Sequence, residues 1–220
     1  MILLWPIHFS ETTAEFDFLR KPLRIEAAAE IAYLKELSRR GVNLKDQGVR
    51  VESLDGSLIY ADHHSDRLFN PASVIKIATS LLALERFGPE HQFRTHFYVD
   101  GDIDKSGVLE GDLILSSDGD PVMSTRDLIR LARQLTRKGL RRVKGRLIIA
   151  GPFTVGNLYS EHWVKPHLAR TLRRIGLRVP TKVEFGERRG YLMAERISEP
   201  LHKILFYQNA HSNNPTADRL

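Results

Sequence analysis

From Ala72 to Leu84 the chain is apolar at nearly every position, with Pro71 just ahead of the run and Gly88-Pro89 just beyond it. A run of helical length that is apolar on most faces is expected to be a helix buried in a core, and the proline and glycine punctuate its two ends. The charge inside it is Lys76, which follows Ser73 by three residues. Three residues is close to one helical turn, so the two side chains should project side by side at the first turn. A lysine kept from water has its charged form disfavoured, which moves its pKa down and lets it act as a base at neutral pH. A serine hydroxyl beside such a base, at a helix N-terminus with backbone N–H groups at hand for an oxyanion, is an activated nucleophile. The same two residues also fit a capping serine and a lysine that reaches out of the core to water.

Composition narrows the setting. At 220 residues one or two domains with a real core are expected, and 42% hydrophobic with 8% aromatic residues is the balance of an ordinary globular chain. No apolar run approaches the length of a membrane span. The absence of cysteine excludes disulfides, thiolate zinc sites and cysteine nucleophiles. A net charge of +6 should draw polyanions to the surface.

A second short element, Ser212-Asn213-Asn214, lies far along the chain from the first. Ser-x-x-Lys, a Ser-x-Asn element and Lys-Thr-Gly are the site elements of penicillin-binding proteins and class A β-lactamases. The surroundings point more narrowly. Gly56-Ser57-Leu58-Ile59-Tyr60, then Phe69-Asn70-Pro71-Ala72-Ser73-Val74-Ile75-Lys76, then Leu82-Ala83-Leu84-Glu85-Arg86-Phe87-Gly88-Pro89 follow one another in order. Leu109-Glu110-Gly111-Asp112-Leu113-Ile114-Leu115 leads on to Gly119-Asp120-Pro121, then come Gly139–Leu147 and Gln208–Asn214. In these segments, from about Leu34 onward, the chain resembles the S13 peptidases, low-molecular-mass penicillin-binding proteins with D-alanyl-D-alanine carboxypeptidase and endopeptidase activity.

The resemblance implies an α+β fold: a serine β-lactamase/transpeptidase-like domain, helices on an antiparallel sheet, interrupted by a small inserted α+β domain. The expected division is 25–90 with 197–220 for the first and 91–196 for the insert, shorter than in long members, with 1–24 unplaced. It implies an acyl-enzyme route with Ser73 as nucleophile, Lys76 as general base, Ser212 relaying the proton to the leaving amine, and Asn214 hydrogen-bonding the substrate amide. The partners implied are peptidoglycan stem peptides and β-lactams, in an extracytoplasmic or periplasmic setting, with no cofactor. Two departures stand against the family pattern. No Lys-Thr-Gly occurs in the 220 residues, and Leu147–Phe153 lacks the acidic residue common in the family. The expectation is therefore an incomplete site, its C-terminal strands lacking, that acylates poorly, or a family fold kept as a binding or scaffolding protein. Met1–Ile7 is too short for a signal-peptide core, although export would be expected.

The pattern reads coarsely as a helix over Ile25–Arg39, a hairpin of Val49–Leu54 and Leu58–Tyr60 about Asp55-Gly56, and the Ser73 helix. Beyond Pro89, strands are expected at Phe93–Val99, Val108–Leu109, Leu113–Leu115, Leu147–Ile149 and Lys182–Phe185. Helices are expected at Thr125–Lys138 and Pro166–Ile175, with another running from Ser198–Leu201 up to the Ser-x-Asn loop.

Arg126, Arg130, Arg133 and Arg137 line one face of the first of these helices, with Ile129, Ala132 and Leu135-Thr136 opposite, and Arg141, Arg142, Lys144 and Arg146 extend the charge. A solvated face over a packed one is the simplest account. A nucleic-acid surface lacks any accompanying reading motif, so no specific nucleic acid is expected, and anionic wall polymers would suit the charge equally. The nine histidines are scattered and form no H-E-x-x-H pattern, so no metal is expected. Asp118 and Asp120 fit a Gly-Asp-Pro turn with a capping aspartate better than a catalytic carboxylate pair.

Overall fold

The hairpin signal at Asp55-Gly56 is a loop built by side chains. In this computed structural model, which describes residues 23–24, 28–158 and 160–220, the Asp55 carboxylate accepts from Ser53 Oγ at 2.5 Å and from Ser57 N at 3.1 Å. Those hydrogen bonds, led by the Ser53 hydroxyl, lower the Asp55 pKa to about 2. Gly56 takes φ +70°, where an L side chain would be strained.

Two units make up the chain, residues 1–70 and 71–220. In the first, strand β1 (Leu23–Arg24) runs parallel to β3 (Leu58–His63), which pairs antiparallel with β2 (Val49–Glu52). Helix α1 (Ala28–Arg39) also belongs here, and Ile59 and Ala61 of β3 are buried. Ile25–Ala27, expected to begin that helix, lies outside the described residues, as does most of segment 1–24.

The second unit opens with a 3₁₀ turn, Ala72–Val74, running into α2 (Ile75–Phe87), which Gly88 ends at φ +81°. Its sheet has six strands in the order β8 (Val183–Phe185), β7 (Leu147–Ala150), β5 (Val108–Ser117), β4 (Arg94–Ile103), β9 (Tyr191–Ile197), with β6 (Arg142–Val143) beside β5. β4 (Arg94–Ile103) and β5 (Val108–Ser117) form a long antiparallel hairpin. β5 then runs through α3 (Thr125–Arg137) to β7 (Leu147–Ala150), and β7 through α4 (Glu161–Arg174) to β8 (Val183–Phe185). All three strands are parallel, as βαβ units require. β9 (Tyr191–Ile197) returns antiparallel to β4, and α5 (Leu201–Ala210) and the short α6 (Asn214–Ala217) follow. The architecture is α+β, with a mixed sheet in this unit.

Leu128, Leu131 and Leu135 of α3 and Val164, Leu168 and Leu172 of α4 bury in one cluster with Phe97, Leu113 and Leu147 of the sheet. Both helices therefore cover the same sheet face. α3 starts on a capping box in which Ser124 and Asp127 exchange side-chain and backbone hydrogen bonds. A smaller cluster joins Ala83 of α2, Phe93, and Leu201, Ile204 and Leu205 of α5.

Three expectations need correction. α4 begins at Glu161, five residues before the expected start at Pro166, so the proline lies inside the helix rather than at its first position. β5 is continuous where Glu110-Gly111-Asp112 was expected to break it, because Gly111 lies opposite Gly101 and the paired glycines let the strands run on. The strand β9 was not expected at all. Its buried Met193 and Ala194 are adjacent, so it lacks the alternation that marks a strand.

Candidate active site

The apolar run makes a helix, but not a buried one. Within α2 only Lys76, Ser80 and Ala83 are buried, while Ile75, Ile77, Leu81 and Leu82, with Val74 just before the helix, are each more than half exposed. The charged residue is thus among the best hidden, and the apolar ones face out. Pattern alone cannot tell a helix wrapped on all sides from one packed along a single stripe.

Ser73 sits on the 3₁₀ turn just before α2 rather than on its first α-helical turn. Ahead of it, Ala72 holds φ +44°, a conformation that non-glycine residues seldom take and that clusters at functional sites. Lys76, 6% exposed, donates from Nζ to Ser73 Oγ at 3.3 Å. Ser80, one turn further on, donates to the Lys76 carbonyl at 2.8 Å and receives Gln208 Nε2 at 3.2 Å and Asn209 Nδ2 at 3.1 Å. This polar knot fastens the lysine-bearing turn of α2 to α5. Sequence reading assigned no role to Ser80, Gln208 or Asn209. The signal available was a serine one turn beyond Lys76 and an amide pair just ahead of Ser-x-Asn.

Ser212 is delivered by the end of α5. Asn213 N bonds the Gln208 carbonyl at 2.9 Å and Ser212 N the Asn209 carbonyl at 3.4 Å, the bond pair of a Schellman motif. Its left-handed position, usually glycine, is occupied by Ser212 at φ +49°. That turn brings Ser212 Oγ to 2.8 Å from Ser73 Oγ, as donor. Asn213 then caps α6 by accepting Thr216 N at 2.9 Å. Asn214, the first residue of α6, lines a cleft of ≈ 440 Å³ with Ser73, Lys76, Thr79 and Asp218. Three of the four expected site residues, Ser73, Lys76 and Asn214, therefore line one cleft, and the fourth, Ser212, reaches it through its bond to Ser73 Oγ.

Arg219 ties the same end of the chain to the Gly119-Asp120-Pro121 turn, donating Nη1 to the Pro121 carbonyl at 2.8 Å and Nη2 to the Gly156 carbonyl. Asp118 accepts Arg94 N at 2.8 Å and Asp120 accepts Val122 N at 2.9 Å while pairing with Arg196. Burial pushes the Asp120 carboxyl up, against the pull of Arg196. Asp120 thus braces its own turn, while Asp118 ties the turn to the start of β4. Among the described residues no group of three or more His, Asp or Glu side chains is placed to hold a metal ion.

A family profile described as D-Ala-D-Ala carboxypeptidase 3 (S13) matches residues 33–166, more than half of the chain. The chain belongs to the S13 family.

Other similarities agree with membership of S13. The D-alanyl-D-alanine carboxypeptidase of Actinomadura sp. strain R39 is 33% identical over 99 residues, 45% of this chain and 18% of that protein. The carboxypeptidase DacB of Haemophilus influenzae is 28% identical over 102 residues, 46% of this chain and 21% of that protein. The crystal structure of penicillin binding protein 4 (dacB) from H. influenzae superposes with TM-score 0.66 at 18% identity, covering 78% of this chain and 60% of that one. A predatory endopeptidase of Bdellovibrio bacteriovorus gives 0.51 at 21% identity, covering 73% and 49%. The matched stretch is about a fifth of either carboxypeptidase, and the structural match spans less than two thirds of either solved chain.

Proposed function

We propose that this chain carries the acylation machinery of a serine-type D-Ala-D-Ala carboxypeptidase or endopeptidase acting on peptidoglycan stem peptides outside the cytoplasm. The observation that carries this reading is the contact of Ser73 Oγ with both Lys76 Nζ, at 3.3 Å, and Ser212 Oγ, at 2.8 Å. In the acylation step, Lys76 Nζ takes the Ser73 proton as Ser73 Oγ bonds to the carbonyl carbon of the penultimate D-Ala. Lys76 and Ser212 then return a proton to the departing amine as the C–N bond breaks, leaving an ester on Ser73. Asn214, lining the cleft, bonds the substrate amide. Water attacks the ester in turn and frees the serine. A β-lactam enters by the same first step, its ring nitrogen as leaving group. Residues 91–196 are an insert between the two stretches that supply the site.

The exposed apolar face of α2 supports a second statement about rate. With Val74, Ile75 and Ile77 each more than half exposed among the described residues, the cleft holds a substrate against Ser73 only loosely. Misplacement by about an ångström costs on the order of a hundredfold, so acylation of the 220-residue chain is slow. Fluorescent penicillin tests both statements. We expect faint labelling at high drug concentration, abolished in Ser73→Ala and cut about 10²–10⁴-fold in Lys76→Ala. Label that survives Ser73→Ala, or none at any concentration, sinks the enzyme reading; the latter favours a scaffolding role for the same fold. Fast labelling at low concentration sinks the statement about rate.

A further inference from the structure

α3 and α4 cover one face of the sheet, so their outer sides form a common surface, and that surface is almost purely cationic. Arg126, Arg130, Arg133 and Arg137 of α3 and Arg170 and Arg174 of α4 are all exposed. Of these, Arg130 alone has a carboxylate partner among the described residues, Asp127 at 3.5 Å, and it is 67% exposed. Asp127 is the one acid in α3 and is already engaged in the capping box. From Val164 to Arg178 there is no carboxylate at all. Because both connections join parallel strands, the helices run in the same direction and end together. There Arg178 N bonds the Arg141 carbonyl, bringing two more exposed arginines to that edge.

Two bland explanations fall short. Cations in a last helical turn complement the dipole, which accounts for Arg137 and Arg174 but not for Arg126, Arg130 and Arg133. A face built only for solubility mixes the two signs with acids one turn from the cations, and this one does not. The α3 arginines recur at four, three and four residues, one charge about every 5–6 Å along the helix. Every one is arginine, whose planar fork pairs with phosphate oxygens two at a time. No aromatic residue lies between Arg126 and Arg142 or between Arg170 and Arg178, so nothing there offers a base a ring to stack on.

We propose that the outer face of α3 and α4 docks an extended linear phosphodiester polymer without bases, a poly(polyol phosphate) of the cell envelope. The phosphodiester chemistry stands on the arginines alone. The choice of an envelope polymer over a nucleic acid rests in addition on the peptidase reading.

The test is fluorescence anisotropy of the full 220-residue chain with labelled poly(glycerol phosphate) at several salt concentrations. Binding should weaken with salt along a log–log slope of about −3 to −4, as for roughly five phosphates neutralised by a single strand. Changing Arg126, Arg130, Arg133 and Arg137 together to Gln should weaken binding at least tenfold and flatten the slope by about 3. Changing Lys35, Lys45, Lys105 and Lys203 to Gln removes the same charge elsewhere and should cost less than about threefold. If the first variant does not fold, Arg170→Gln with Arg174→Gln, read against a matched Lys105→Gln/Lys203→Gln pair, replaces it. Equal losses in stripe and control variants overturn the proposal. So does single-stranded DNA of equal charge binding more tightly than the polyol phosphate, or anionic phospholipid vesicles retaining the chain while the polymer does not. Neither the binding nor its salt slope depends on Ser73 reacting, so failure of the peptidase reading would show separately, in the penicillin label.

Discussion

Ser212 illustrates how one residue serves two demands that conflict. As the left-handed residue of a helix-ending turn it occupies φ +49°, where an L side chain costs about 1–2 kcal/mol over glycine. As the hydroxyl 2.8 Å from Ser73 it cannot be glycine. We therefore expect Ser212→Gly to be about 0.5–1 kcal/mol more stable than Ser212→Ala, by thermal or denaturant unfolding. Both variants should lose penicillin labelling to a similar degree. If Ser212→Gly is no more stable than Ser212→Ala, the strain account is wrong. If either labels like the parent, the relay role is wrong. Ala72 at φ +44° places a second strained residue on the other side of Ser73, so the nucleophile is approached from both directions by backbone that favourable local geometry would not produce.

Among the elements, β4 and β5 depend on the absence of side chains at one cross-strand pair. A Cβ on Gly111 would overlap the Asp100 carbonyl, and backbone cannot swing aside as a flexible side chain can. Gly111→Ala should cost about 1–3 kcal/mol and loosen hydrogen-exchange protection along both strands. An unchanged melting temperature would contradict the close approach. Between α3 and α4, His167 Nε2 lies 3.1 Å from Thr125 Oγ1, and burial, helped by Arg170, lowers the His167 pKa from its ordinary 6.5. The unfolded chain then binds this proton more readily than the folded one, so stability is full above about pH 6.5 and falls as pH drops toward the folded value. Unfolding midpoints measured from pH 8 to 5 should decline less in His167→Gln than in the parent. Equal declines would remove His167 as the titrating group.

On the scale of the whole molecule, a net charge of +6 is combined with an uncovered apolar helix. Charge opposes self-association while α2 promotes it. Leu81→Gln with Leu82→Gln should lower the binding of a hydrophobic dye and raise solubility while changing stability by no more than about 0.5 kcal/mol, since both side chains are more than half exposed. A large loss of stability would mean these leucines are packed in solution. The helix over the apolar run, the arginine-striped helix and the Asp55-Gly56 turn were legible in the sequence because each rests on interactions within a few residues. The same holds for the pairing of Ser73 with Lys76, one turn apart. What lay beyond the sequence depends on neighbours distant along the chain. β9 became a strand because β4 offers it a backbone edge, with Glu195 bonding His96 across the pair, so its own pattern never needed to alternate. Burial of α2 along one stripe was set by what packs on it, which the apolar run could not reveal. Ser212 reaches Ser73 across 139 positions only because α5 is bolted to α2 through Ser80 and ends in a left-handed turn. Local sequence specifies hydrogen bonds closed within a turn or two; long-range contacts form only when the folded chain supplies the partner, and here they assemble the cleft.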